Sequence, residues 1–420
     1  MILSFSVENF RSLRDLQVLD LEARPLQAGH PGLASNVARV GERHDVLKSK
    51  VIYGANASGK SNLLMAISFF NFAVTLTWNP ESIILPLAEP FATDPLTSKA
   101  PSFFELRLLA ERTLYRYGFM VSPEGEIVNE WLFGTPGKKE VPYFVRDEDG
   151  IRVSATHLKS VRKLLAAFDD ESKFVSEKSL LLSVLGHFKN DEVKPVYNTI
   201  SRMRIINGAL ATELDDETIR QLLDDEEGQK IRDLLRRADI EFGELRSARG
   251  RQGAGLSSND RVTLMGDVIK DRKLNLFVRP KNLPEGNSFG FPIEAHLSKG
   301  TIKLIQIAGS IIKALERGDC LIIDEFEARM HTKLSQAIIR MFNSLDNNPN
   351  NAQLIVATHD TNLLSSLLMR RDQISFVEKD RDGASLVYSL ADVRGVRDGA
   401  AYEKDYLSGK YGGVPTVNAL

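Results

Sequence analysis

The stretch Gly54-Ala55-Asn56-Ala57-Ser58-Gly59-Lys60-Ser61 fits the pattern G-x-x-x-x-G-K-[ST] at every fixed position. It constrains the fold more than any other part of the chain. Glycines let the main chain wrap close to an anion, and successive N–H groups can turn inward to form a nest for it. A helix that starts directly behind such a loop adds its positive N-terminal end. In this arrangement Lys60 reaches the β- and γ-phosphates of a nucleoside triphosphate as a point charge, and the Ser61 hydroxyl is placed for Mg²⁺. A Gly/Ser/Ala loop met by chance is the alternative. The flanks argue against it, because Lys50-Val51-Ile52-Tyr53 reads as a short buried strand and Leu63, Ile67 and Phe70 recur at helical spacing.

A second element stands far downstream, in Cys320-Leu321-Ile322-Ile323-Asp324-Glu325. Carboxylates that close an apolar strand are costly unless something satisfies them. Asp324 at the strand tip suits Mg²⁺ beside Ser61, and Glu325 suits a base that polarises the attacking water on the γ-phosphate side. A solvated acidic strand end is the plainer reading, which the upstream Lys60 disfavours. The apolar run Leu354–Val356 then leads into Ala357-Thr358-His359-Asp360. A histidine there can hydrogen-bond a γ-phosphate and sense its loss. By residue type alone it would be an ordinary histidine, and its order after the Asp-Glu strand gives it the switch role. Finally, Leu297-Ser298-Lys299-Gly300-Thr301 opens a helix with Ile302, Ile305, Ala308 and Ile312 on one face. Ser298 is a natural N-cap, and Gly300 allows close main-chain approach to a phosphate. A capped helix and nothing more explains Ser298 equally well. Its position one helix before the Asp-Glu strand favours the phosphate reading.

The remaining pattern predicts an α/β chain in three parts. Residues 1–150 begin with a strand in which Leu3, Phe5 and Val7 alternate with polar residues, then a second strand over Leu16–Leu21 and a Gly/Pro-punctuated loop from Gly29 to Gly41. They end in a strand meander over 103–134 with Tyr115, Tyr117, Phe119 and Val121 on one face and a turn at Pro123–Gly125. Over 151–262 strand signals give way to charged, helix-favouring segments such as Asp216–Ala238, closing in an Arg/Gly/Ser linker, Ser247–Asn259; this reads as a helical insertion. Over 263–420 the α/β pattern returns. Cys320–Ile323 and Leu354–Ala357 read as strands of a parallel sheet buried on both faces. Met330, Leu334, Ile338 and Met341 mark a helix between them, and Gln373–Val377 and Ala384–Leu390 are two further strands.

Charge is nearly balanced: 54 basic against 56 acidic residues leave a net charge of −2, so no global basic field points to nucleic acid. A local contact with DNA through Arg246, Arg249 and Arg251 stays open beside the plainer reading of a solvated linker. Cys320 is the single cysteine and excludes an internal disulfide framework, as expected of a core residue in a reducing compartment. The N-terminus lacks a secretory pattern, and apolar stretches such as Ile67–Trp78 fall short of the roughly 20 residues a spanning helix needs. The expectation is a cytoplasmic protein with no membrane partner. The seven histidines are scattered without ligand spacing to carboxylate or cysteine, so no metal-dependent nuclease centre is expected.

The order of these elements resembles the ABC-type ATPase heads of the SMC, RecF and OLD group. Within it, the chain is most similar to the small stand-alone ATP-binding proteins of the AAA-15 family, including RloA-like proteins of bacterial restriction and abortive-infection loci. Val7-Glu8-Asn9-Phe10-Arg11-Ser12, the stretch from Ile52 to Asn62, Ala357 to Asn362, and the run Arg371-Asp372-Gln373-Ile374 through Glu378-Lys379-Asp380 carry the resemblance. It covers both ends of the chain and little of the middle. It implies an ABC-type P-loop ATPase with an antiparallel N-terminal subdomain, a parallel-sheet core and a helical insertion. It also implies ATP and Mg²⁺ held by Gly54 to Asn62 and Asp324, with Lys60, Glu325 and His359 as the working side chains. Two copies would sandwich two ATPs in a head-to-head homodimer or larger even assembly, with Ser298, Lys299 and Gly300 of one copy closing on nucleotide at Lys60 of the other. Lys299 stands where the ABC signature usually has glycine, and Arg329 is unusual in the loop Ala328–His331; both bear on hydrolysis rate. The insertion lacks the sustained heptads of an SMC coiled coil. The 61 residues after His359 are too few for the nuclease module that OLD-type proteins append, so the implied effector is a separate, nuclease-like chain.

Overall fold

The computed structural model describes residues 1–25, 31–40, 44–168, 174–208, 216–238, 240, 245–249, 274–278, 291–292, 297–397 and 399–414. In chain order the elements are β1 (Ile2–Glu8), β2 (Gln17–Asp20), β3 (Val37–Val40), β4 (His44–Leu47), β5 (Ser49–Tyr53) and α1 (Lys60–Leu76). There follow β6 (Ser102–Ala110), β7 (Thr113–Val121), β8 (Ile127–Thr135), β9 (Val141–Asp147), β10 (Gly150–Val153), α2 (Lys159–Leu165), α3 (Leu181–His187) and α4 (Lys194–Ser201). Next come β11 (Arg204–Asn207), α5 (Asp216–Leu223), α6 (Asp225–Arg237), β12 (Leu245–Arg249), β13 (Leu274–Val278) and β14 (Phe291–Pro292). The chain closes with α7 (Lys299–Arg317), β15 (Cys320–Asp324), α8 (Thr332–Asn343), β16 (Gln353–Ala357), β17 (Ile374–Lys379), β18 (Ser385–Ser389) and α9 (Tyr402–Leu407).

Two sheets dominate. One is antiparallel, in the order β10-β9-β8-β7-β6-β1-β2; the other runs β11-β15-β16-β5-β17-β18, with β15, β16, β5 and β17 parallel neighbours and β18 antiparallel at one edge. This is the α/β architecture expected, an antiparallel subdomain beside a parallel-sheet core. The strands of that core are buried along their length because both faces are covered: every residue of β5 and of β16 is buried. Helix α1 is apolar around most of its circumference, and burying Leu63, Leu64, Ile67, Phe70 and Val74 fixes it as an interior element. Phe70 meets Phe5 edge-on at 5.7 Å and stacks on Phe119 at 5.5 Å, while Phe69 lies 4.9 Å from Phe104. These rings pack α1 onto the antiparallel sheet.

Buried polar groups fix how the strands dock. The Gln353 side chain accepts from the Ile2 N–H at 2.6 Å and donates to the carbonyls of Ile2 at 2.9 Å and Leu47 at 3.1 Å, so it joins β16 to β1 and to the end of β4. Glu130 on β8 is fully buried, and its carboxylate accepts from the N–H groups of Leu181 and Leu182 at the start of α3 and from the Tyr117 hydroxyl. Burial raises its pKa above the usual carboxylate value, against the opposing pull of Arg146.

The chain divides into two compact units: Met1–Ile206 with Ala314–Glu327 and Ser335–Leu420, and Asn207–Lys313 with Ala328–Leu334. In the second, Asp224 caps α6 by accepting from the N–H groups of Glu226 and Glu227, and Ile219, Leu222, Ile231 and Leu235 are buried. Gly309 on α7 gives room to the Gln221 side chain, whose oxygen a Cβ there would meet at 2.2 Å.

Three expectations need correction. Over 151–262 the chain forms strands β11 and β12 as well as helices; β12 pairs with β13 over Leu245–Arg249, so its last three residues fall in what reads as a linker. Cross-strand pairing decides that segment, and local composition does not report it. The meander runs on past residue 134 through β9 and β10, whose half-exposed residues give a weak alternation signal. The buried face of α8 is Ser335, Ile338, Ile339 and Phe342; Met330 precedes the helix, and Leu334 and Met341 are only partly covered. Residues 250–259 of the linker, Arg251 among them, and 29, 30 and 41 of the early loop lie outside the described residues. No helix among the described residues is long and apolar enough to cross a membrane.

Candidate functional site

Register in the six-stranded sheet brings three loops to one edge. Ile52 of β5 pairs level with Ala357 of β16, and Val356 of β16 with Ile323 of β15. The segments that follow, Gly54–Gly59, Asp324–Glu327 and Thr358–Asp360, therefore all leave from the carboxyl ends of parallel strands, where open α/β sheets bind ligands. One strand, β16, stands between the strand that leads into the glycine loop and the strand that carries the acidic pair.

The glycine loop is a tight cradle. A Cβ on Gly54 would stand 2.3 Å from the Val377 carbonyl oxygen, and Gly59, with φ +110°, has the Ser385 and Ser12 hydroxyls against it. Ala57 also takes a positive φ, 61°. No side chain caps the start of α1, so its first N–H groups have no side-chain acceptor. Lys60 is largely buried and donates to the carbonyls of Gly54 at 2.8 Å and Ala55 at 3.0 Å, which holds its ammonium across the mouth of the loop. Burial lowers its pKa, while Asp324, Glu327 and Glu325 pull it upward. Asn62 donates to Ser12 at 2.7 Å; Ser12 and Ser385 are joined at 2.8 Å, and Ser385 also donates to the Ser58 carbonyl at 2.7 Å. The loop is thus braced from β18 and from the turn after β1. A cradle closed to a Cβ at Gly54 and Gly59, an uncapped helix start and a poised ammonium fit a phosphate chain.

The acidic turn after β15 is stapled to the end of β16. Phe326, fully buried, donates its N–H to the Ala357 carbonyl at 3.0 Å, and one oxygen of Glu327 accepts from the His359 N–H at 2.7 Å. Between these anchors Glu325 takes φ 47° and presents an exposed carboxylate, with its own N–H donated to Asp324 at 3.0 Å. Left-handed backbone in a non-glycine residue is uncommon and concentrates at functional turns. Tyr53 donates to the Asp360 carbonyl at 3.2 Å, and the Thr358 N–H donates to Ile52 at 3.1 Å, so β5 holds the histidine segment from the other side. Burial lowers the pKa of His359 and the Lys60 ammonium lowers it further, against the pull of Glu327, Glu325 and Asp324. Lys60, Asp324, Glu325 and His359 therefore belong to one electrostatic cluster. Glu327 belongs to it too and was missed, although the spacing Asp324-Glu325-x-Glu327 is visible in the sequence. Asp324, half-buried at the tip of β15, and Ser61, exposed on the first turn of α1, carry oxygens of the kind a hard cation takes.

Ser298, Lys299 and Gly300 lie in the other unit. The Ser298 oxygen accepts from the Thr301 N–H at 3.1 Å and caps α7 as expected. Ser298 and Lys299 are exposed. Gly300 has a local reason: a Cβ there would stand 2.2 Å from the carbonyl oxygen of Arg329, whose own φ is 63°. Arg246 and Arg249 fall on β12.

A family model matches residues 51–365, from the first strand of the glycine loop past the histidine segment. The chain belongs to the family described as "AAA domain, putative AbiEii toxin, Type IV TA system". As a member of that AAA family it is an ATPase-type P-loop domain. A comparison with curated proteins gave no match. Similar solved structures include an SMC head bound to the C-winged helix domain of ScpA, 17% identical with a TM-score of 0.39, covering 92% of this chain and 97% of that one. Another is the SMC head domain from Thermotoga maritima, 14% identical with a TM-score of 0.41, covering 92% and 98%.

Proposed function

We propose that this chain binds ATP with Mg²⁺ at the carboxyl edge of the parallel sheet, hydrolyses it, and through nucleotide-driven self-association controls a separate effector in bacterial anti-phage defence. The observation that carries the ATPase part is the convergence of Lys60, Asp324, Glu325 and His359 on the uncapped start of α1. In this reading the main-chain N–H groups of Gly54 to Asn62 cradle the phosphates, and Lys60 leaves its two loop carbonyls for the β- and γ-phosphates. Ser61 and Asp324 would hold the Mg²⁺, which supplies charge neutralisation when bound. The exposed carboxylate of Glu325 accepts a proton from the attacking water, and the His359 ring donates to the γ-phosphate. Ser298, Lys299 and Gly300, exposed or partly so at the start of α7, would close on nucleotide held by a second copy.

The defence setting rests on the AbiEii and toxin–antitoxin terms of the family description, with the AAA-15, RloA-like resemblance as its finer form. A nuclease-like effector is part of the same proposal; a DNA-binding maintenance ATPase, in contact through Arg246, Arg249 and Arg251, is the alternative to it. The test is direct. Lys60→Ala should lose binding of a fluorescent ATP analogue with Mg²⁺, and Glu325→Gln should keep it and lose phosphate release by about 100-fold or more. Binding unchanged in Lys60→Ala rejects the site, and turnover unchanged in Glu325→Gln rejects the base. A second reading, an ATP-dependent scaffold that scarcely turns over, is favoured by Lys299 at the signature position; single-turnover phosphate release separates the two.

A further inference from the structure

Glu327 has no role in the chemistry set out above, yet its placement is specific. It is the second of two ties between the acidic turn and the end of β16: Phe326 N–H to Ala357 at 3.0 Å, then Glu327 to the His359 N–H at 2.7 Å. Its other carboxylate oxygen is buried with no hydrogen-bond partner among the described residues. A carboxylate half satisfied in a covered position costs stability, so its place there calls for an explanation other than folding. The tie lies across the mouth of the site. On one side is the strained Glu325, φ 47°; on the other is the histidine segment, held from behind by Ile52 and Tyr53 of β5. A bond between these two segments fixes the distance from the base to the switch histidine.

We propose that Glu327 is a positioning residue: its side-chain oxygen, by holding the main-chain N–H of His359, sets the Glu325 turn and the His359 segment in one rigid frame. The proposal rests on the ATPase reading. What it requires of residue 327 is an acceptor at that point. A negative charge is not required.

The test compares Glu327→Gln, which keeps an acceptor of the same length, with Glu327→Ala, which removes it. In the nucleotide-free protein, hydrogen exchange at the His359 amide should quicken about tenfold or more in Glu327→Ala and stay within about threefold in Glu327→Gln, as a lost charge-assisted bond implies. In turnover, Glu327→Ala should lower kcat about tenfold or more with little change in affinity for the fluorescent ATP analogue, and Glu327→Gln should restore it. Two results overturn the proposal: exchange at His359 unchanged in the alanine variant, or glutamine as damaging as alanine, which would make the charge the active feature. Lys60→Ala run in parallel keeps the two ideas apart. If it still binds nucleotide the ATPase reading fails, whereas lost binding there with wild-type exchange and turnover in Glu327→Ala sinks the positioning role alone.

Discussion

The Ser12 and Ser385 hydroxyls are hydrogen-bonded at 2.8 Å, across 373 residues of sequence, and the pair lies against Gly59. The residue before the catalytic lysine candidate is therefore shaped by two serines outside the motif. Gly59 meets two demands at once: a left-handed φ of 110° and no Cβ, since one would lie 2.1 Å from Ser385 Oγ.

Gly59→Ala should accordingly destabilise the protein by about 1–3 kcal/mol, as an incompatible φ does, and weaken nucleotide binding more than Ser385→Ala, which only loosens the brace. Urea unfolding and titration with a fluorescent ATP analogue check both. An alanine variant with native stability would mean that the serines give way freely.

Gln353 joins β16 to β1 and β4 through three buried hydrogen bonds. Gln353→Ala strands the Ile2 N–H and two carbonyls, so a loss of about 2–4 kcal/mol in unfolding free energy is expected. A Glu at this position keeps the acceptor but not the donor, and it should fall at least as far because the charge would be buried.

Lys50 gives a pH signature. Its ammonium is buried and donates to the Asp372 carbonyl at 2.5 Å; burial pushes its pKa down to about 8, against the pull of the Asp372 charge. Between about 8 and its ordinary 10.5 the unfolded chain binds a proton that the folded chain does not. The stability contribution of Lys50 thus rises with pH across that window, by roughly 1.4 kcal/mol per unit. Measured by urea unfolding, wild type should gain on Lys50→Met from pH 8 to 10. A difference that stays flat would place the proton elsewhere.

Cys320 sits on β15 with its thiol buried, and burial raises its pKa to about 12. The thiolate is the reactive form. Iodoacetamide at pH 8 should leave the folded protein unmodified and label it fully in denaturant, as read by intact mass. Rapid labelling of the folded protein would show that β15 opens.

The local chemistry of the site was legible along the chain. A glycine loop between a buried strand and a helix, an apolar run ending in Asp324-Glu325, and a histidine after a second apolar run are each short-range patterns, read from neighbours a few positions apart. The alternations at Leu3, Phe5, Val7 and Tyr115 to Val121 foretold buried faces because period 2 is a property of the single strand. Strand β12 was not legible, because its identity depends on β13, and neither was the buried face of α8, because several apolar stripes fit its sequence.

By itself, the sequence determined which residue types stand at each strand end and in what order, since those depend on neighbours a few positions apart. Only the tertiary structure decided that β16 lies between β5 and β15, that Ser12 and Ser385 brace Gly59, and that Glu327 holds the His359 main chain. Each of these joins groups from distant parts of the chain, and which distant hydrogen bonds form is settled by strand register and packing, not by local pattern.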